Sequence, residues 1–119
     1  LEAAAALVAH RLVKLSSGKA AYNTATATDD PIGVNELNVA LGEIAGGKFL
    51  NCEGTVEIEA AGAITAGADV FAAADGKVQA LPAGAGTYRK IGLAMKAASG
   101  SGSIIEVFPY DFGATEVVT

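Results

Sequence analysis

Hydrophobic and polar residues along this 119-residue chain alternate with the two-residue period of β-strands and almost nowhere with the 3.6-residue period of a helix. Residues 54–60 are the clearest case. Thr55, Glu57 and Glu59 fall on one side and Val56 and Ile58 on the other, which predicts a half-buried strand. Residues 69–71 predict another strand, and residues 103–109 predict the last strong one. In residues 10–15, His10, Leu12 and Lys14 share one face and Arg11, Val13 and Leu15 the other, a strand with mixed faces. The alanine-rich run of residues 2–8 predicts either a turn or two of helix or an extended segment, with context deciding. Val117 and Val118 close the chain with an apolar pair that needs a surface to cover it.

Turn signals divide these strands into two similar series. Ser17-Gly18 and Asp75-Gly76 each lie between β-prone runs and are each followed by Lys, as expected of hairpin tips that need positive φ. Gly18 and Gly76 are 58 residues apart, Gly33 and Gly92 are 59 apart, and Gly42 and Gly100 are 58 apart. Three glycines in register, with one inserted residue, predict pseudo-repeats over residues 13–54 and 70–109. Exposed loops are expected at residues 23–31, which include Asn23, Thr26, Asp29 and Pro31, and at residues 82–87, from Pro82 to Thr87. The expected fold is mainly β: a single small barrel-like or sandwich domain of residues 11–119, built from two duplicated halves, preceded by an extended N-terminal arm of residues 1–10.

Composition makes the core thin. Hydrophobic residues are 51% of the chain but aromatics only 6%, with no Trp, so much of the apolar content is alanine and other small side chains. At roughly 25 cal/mol per Å² of buried apolar surface, alanine contributes little, and an isolated monomer is expected to gain stability from association. A net charge of -5 and scattered basic residues argue against nucleic acid as a partner. Cys52 is single, which excludes an intramolecular disulfide and a cysteine metal site. Residues 1–9 are apolar but too few to span a membrane and lack the basic leader of a signal peptide. The chain begins at Leu1 rather than Met, so we expect a processed terminus or a start within a longer product.

No reactive constellation emerges. Gly62 and Gly67 have the spacing of a phosphate loop, but Ala68 and Asp69 stand where Lys and a hydroxyl residue are required. Glu57 and Glu59, with Glu53 nearby, form an acidic strand face without a liganding loop, and solvated carboxylates explain it. His10 is the single histidine and has no nucleophile motif beside it. We therefore expect no catalytic residue, no metal and no cofactor. Ala94-Met95-Lys96 resembles the biotin-acceptor motif, but Ala97 replaces its second Met and Lys96 ends a strand instead of sitting at a hairpin tip. This leaves a biotinyl- or lipoyl-like carrier modified on Lys96 as one alternative. A module binding carbohydrate or the host surface is another, requiring Tyr22, Tyr88 and Tyr110 to cluster on one face.

The run of residues 63–78, followed by Gly92-Leu93-Ala94 and Ile104-Ile105-Glu106-Val107, resembles the capsid cement, or head-decoration, proteins of tailed bacteriophages, and residues 13–54 are also similar to that family. Ala68 intervenes between Gly67 and Asp69, where many relatives join Gly directly to Asp. The resemblance implies a structural, non-enzymatic protein on the outer surface of the virion capsid. Its partners would be the major capsid protein and further copies of itself, commonly as a homotrimer, and it would hold neighbouring capsid subunits against internal pressure. Acidic character suits the outside better than a lumen facing DNA. On this reading Leu1, Leu7, Val8 and His10 of the arm contact the capsid, and Asn23, Thr26, Asp29, Pro31, Pro82 and Thr87 contact capsid or neighbouring subunits. Deleting the first nine residues is expected to weaken capsid binding and leave the domain folded.

Overall fold

A computed structural model describes residues 2–26, 29–44, 46–50, 54–110 and 114–119. Leu1, Cys52 and Glu53 therefore lie outside the described residues. Among these, β1 (Arg11–Ser16), β2 (Lys19–Tyr22), β3 (Pro31–Asn35) and β4 (Gly47–Phe49) form one antiparallel sheet in the order β2-β1-β3-β4. A second sheet contains β5 (Val56–Glu59), β6 (Asp69–Ala72), β7 (Val78–Gln79), β8 (Gly86–Ala94) and β9 (Ile104–Pro109) in the order β5-β9-β8-β6-β7. β10 (Thr115–Val118) pairs with the first half of β8.

Turn chemistry sets the connections. Ser17 and Gly18 have φ of 50° and 79° and join Ser16 to its partner Lys19, a two-residue turn whose twist matches that of its strands. Asp75 and Gly76 have φ of 56° and 73°, in a single 3-10 turn between β6 and β7. The two tips differ in their surroundings. Gly18 is exposed, whereas Gly76 is buried against β1, where a Cβ would collide with the Leu12 carbonyl and lie 3.1 Å from the Leu12 nitrogen.

Pairing in the two sheets runs in parallel. In the first, Val13 lies opposite Gly33, and the register shifts before Lys14 meets Pro31. In the second, Val70 lies opposite Gly92, and the register shifts before Phe71 meets Lys90. Gly33 then faces Phe49 of β4, and Gly92 faces Pro109 of β9. Both glycines permit close approach: a Cβ on Gly33 would sit 3.2 Å from the Phe49 Cα, and one on Gly92 would sit 2.9 Å from the Pro109 Cα. The third pair is not equivalent, since Gly42 has φ of 84° while Gly102, not Gly100, takes the left-handed conformation in the later loop.

One core lies between the sheets. Leu12, Val34 and Leu50 meet Val56, Ile58, Val70, Val78, Ile91, Ile105 and Val107 in it, and Phe71 is the largest of the fully buried side chains. A barrel is not formed. The far strands of the second sheet meet at one bridge, Ala60 with Val78, because β5 has four residues and β7 two, too few to close a ladder.

Residues 2–10 form no continuous strand: bends alternate with isolated bridges of Glu2 to Ile44, Ala3 to Ala20 and Leu7 to Val39, and the segment lies against the first sheet as a strap. Its Ala3 and Leu7 are buried with Val13 and Ala20 in a second cluster, against which Tyr22, Ile32 and Val39 pack. Truncating the first nine residues would uncover that cluster, so it costs stability as well as any external contact. Gly92→Ala is expected to destabilise the fold by about 1–3 kcal/mol, through the forced separation of β8 and β9. Gly62→Ala, where added atoms would meet open space, should stay within about 0.5 kcal/mol; thermal melts of the two variants check this.

Candidate functional site

The strap is fastened along its length. The Ala3 N–H donates to the Glu43 carbonyl (2.8 Å) and its carbonyl accepts from the Gly42 N–H (3.0 Å). Leu7 and Val39 exchange both backbone bonds at 2.9 Å. Ala4 donates to the Ala20 carbonyl at 2.8 Å, the Val8 N–H to the Tyr22 hydroxyl at 2.7 Å, and the Ala9 N–H to Asn38 Oδ1 at 2.8 Å. Strap and β3–β4 connection are thus tied to each other by backbone hydrogen bonds. The result is an outward row of aliphatic side chains: Leu37, Leu41 and Ile44 are 63, 69 and 73% exposed, with Val8 exposed beside them. Large apolar side chains held on a fixed backbone and left facing water mark a contact surface.

The sequence-predicted contact residues fall into distinct places. Leu7 is turned inward and Val8 outward. His10 has φ of 64° and joins the sheets: its N–H donates to the Asn35 carbonyl (2.6 Å) and its carbonyl accepts from the Glu59 N–H (2.8 Å). Asn23 and Pro31, expected in exposed loops, are buried. The Asn23 N–H donates to the Leu12 carbonyl (3.0 Å) and its carbonyl accepts from Gly76 (2.8 Å), so it seats the second hairpin on β1. Asp29 is tied to Thr24 and to Lys14 (2.9 Å). Hydrogen bonds from Thr24 and then Lys14 hold its carboxyl below the ordinary range. Thr26 and Thr87 are exposed and Pro82 half-buried. An ion pair of 2.9 Å between Asp30 and Arg89 draws the 23–31 loop to the start of β8, near the 82–87 loop.

Two residues weighed for other chemistry are also located. Lys96 is exposed, just past β8 in the long connection to β9 and away from any tight tip. The tyrosines do not share a face: Tyr22 lies on the first sheet, Tyr88 donates to the Gly84 carbonyl (2.8 Å), and Tyr110 accepts from Lys90 (2.9 Å).

The seam between the sheets carries the strongest electrostatics. Arg11 on β1 grips Glu59 on β5 with Nε–Oε1 of 3.1 Å and a second bond of 3.2 Å, donates to the Asp75 carbonyl (3.1 Å), and stacks over Tyr22. Lys77 approaches the same carboxylate at 3.3 Å. Burial alone pushes the Glu59 carboxyl up, but the hydrogen bonds and charges of Arg11 and then Lys77 outweigh it and bring it below the ordinary range. Farther along the seam, a cavity of about 310 Å³ gathers His10, Glu36, Lys48, Glu57, Lys96 and Glu106. Among the described residues, no group of His, Cys, Asp and Glu is arranged to hold a metal ion. The cavity is a mixed-charge crevice whose Glu57 and Glu106 face each other across β5 and β9.

The model of the phage cement protein family matches residues 1–108. The chain belongs to this family. It is accordingly a structural protein of the phage head, located at the outer surface of the virion capsid. Its fold is similar to the crystal structure of the N base of head fiber gp8.5 in bacteriophage phi29, with a TM-score of 0.74, 18% identity, and coverage of 93% of this chain and 91% of that one. No curated protein matches this cement protein in sequence.

The Glu59 cluster generates a pH prediction. A carboxyl lowered in the folded state contributes stability that is present above its unfolded pKa of about 4.3 and is lost as pH falls through the folded value. Glu59→Gln should therefore lower the melting temperature at pH 7, by about 1–3 kcal/mol of stability. The gap from the parent should narrow as pH drops below about 4; melts at pH 7, 5, 4 and 3 measure it.

Proposed function

We propose that this cement protein binds across neighbouring major capsid subunits on the outside of the head and holds them together, and that copies associate, commonly as trimers. Family membership supports the setting, and one observation carries the assignment of the capsid-facing surface: Val8, Leu37, Leu41 and Ile44, apolar yet exposed, on a strap and a β3–β4 connection that hydrogen bonds tie to each other. A rigid surface loses little entropy on docking. Of the arm residues, Val8 belongs to this face and Leu7 supports it from within. The exposed residues of the 23–31 and 82–87 loops, Thr26 and Thr87 among them, are proposed as subunit contacts. They lie on the side where Asp30 and Arg89 pair.

We also infer that the two halves are duplicates. Matching pairing order, matching register shifts at Val13/Lys14 and Val70/Phe71, and glycines performing the same close approach support this reading. What separates the halves is the β3–β4 connection, because it carries the aliphatic row.

Replacing Leu37 and Ile44 together by Asp should reduce occupancy on purified heads by about tenfold or more, since charges would be desolvated in the contact. The melting temperature should stay near that of the parent, because neither side chain is buried in the free chain. Undiminished occupancy would remove this face from the account.

A further inference from the structure

We propose that copies of the cement protein join edge to edge, with β10 of one copy adding to the free edge of β4 in the next. The inference rests on the reading that the protein self-associates and adds the strands through which copies meet.

β8 is longer than the sheet that holds it. Its residues from Lys90 onward pair with β6 and β9, whereas Gly86 to Arg89 pair with β10, from Gly86 opposite Val118 to Arg89 opposite Thr115. The first half of β8 and β10 therefore form a two-stranded ribbon beyond the core. Such a ribbon is marginal alone in water, yet this one leaves Val117 65% exposed. Among the described residues, nothing pairs with the other edge of β10.

β4 is the matching acceptor. Its three residues are all exposed, its outer edge has no partner among the described residues, and Phe49 is 64% exposed. On the inner side of β4, over Gly33 on the face of the first sheet, a groove of about 120 Å³ separates Val13 from Phe49. A free strand edge carrying an exposed aromatic side chain accepts an added strand through its backbone groups.

Charge selects the occupant. Glu116 precedes Val117 and Lys48 precedes Phe49, and among the described residues neither is in an ion pair; Lys48 Nζ reaches the Thr55 carbonyl at 3.4 Å, at the cavity that Glu36, Glu57 and Glu106 also line. A parallel strand that places Val117 beside Phe49 also places Glu116 beside Lys48, so one register satisfies both the apolar and the charged pair. Because donor and acceptor are different surfaces, the contact is head-to-tail, and a rotation that closes it gives a ring.

Mass measured by light scattering across a dilution series tests this with the full chain. The parent should exceed the 11.8 kDa monomer. Val117→Lys and Phe49→Lys should each raise the dissociation midpoint about tenfold or more. Glu116→Lys and Lys48→Glu should each raise it severalfold, about two- to fivefold, and the two together should restore it. Circular dichroism confirms that each variant is folded, and Val117→Thr should associate nearly as the parent does. A parent that is monomeric throughout, self-association unaffected by Val117→Lys, or a charge swap that rescues nothing would each overturn the inference. Occupancy on purified heads, measured in parallel, separates the two readings. Head binding by the parent with self-association indifferent to these variants leaves the proposed function standing and removes this contact. Restored self-association without head binding does the reverse. Loss of head binding in Phe49→Lys with self-association intact would assign β4 to the capsid and overturn the inference.

Discussion

Leu12 and Val13 are neighbours on β1, point to opposite sides of the first sheet, and are both buried, so that sheet has to be covered twice. The second sheet covers the Leu12 side and shares the main core. The strap covers the Val13 side with Ala3 and Leu7. Polar ties then fix each layer to β1 or its ends: Arg11 to Glu59 and the Asp75 carbonyl, His10 to Asn35 and Glu59, Asn23 to Gly76. An alanine-rich chain cannot build a deep core, and layering around one strand lets small side chains bury their modest surface on both faces.

This layering produces the proposed capsid-facing surface as a consequence. The strap needs a partner for its outer backbone groups, and the β3–β4 connection supplies it through Val39, Gly42 and Glu43. With its backbone bonded inward, that connection turns Leu37, Leu41 and Ile44 to solvent. The second half has no strap, and its corresponding edge meets β5 and β10 instead. Two halves with one pairing plan thus acquire different exteriors, one aliphatic and fixed, the other ending in the β8–β10 ribbon.

Much of the fold was legible in the sequence because it rests on local rules. Ser17-Gly18 and Asp75-Gly76 form left-handed turns as their composition demands, and Val56 and Ile58 alternate inward with Glu57 outward. The spaced glycines marked real close approaches at Gly33 and Gly92. Tertiary partners were not legible. Residues 2–8 have little contrast among their side chains, so nothing in the run says that Ala3 and Leu7 face inward while Val8 does not. Asn23 looks like a loop residue by type, and only the arrival of Gly76 from the other sheet buries it. The sequence hint to the aliphatic face was the spacing of Leu37, Leu41 and Ile44 in a segment without strand alternation, a pattern that fits neither a core strand nor a polar loop.

The central claim is that the strap and β3–β4 connection form the face that meets the capsid. Hydrogen exchange of the cement protein, free and bound to purified heads, addresses it directly, because association slows exchange where backbone is newly enclosed. The account predicts added protection concentrated in residues 2–9 and 36–44, with residues 63–67 unchanged. Protection confined to other segments, with residues 36–44 exchanging as in the free protein, would contradict it.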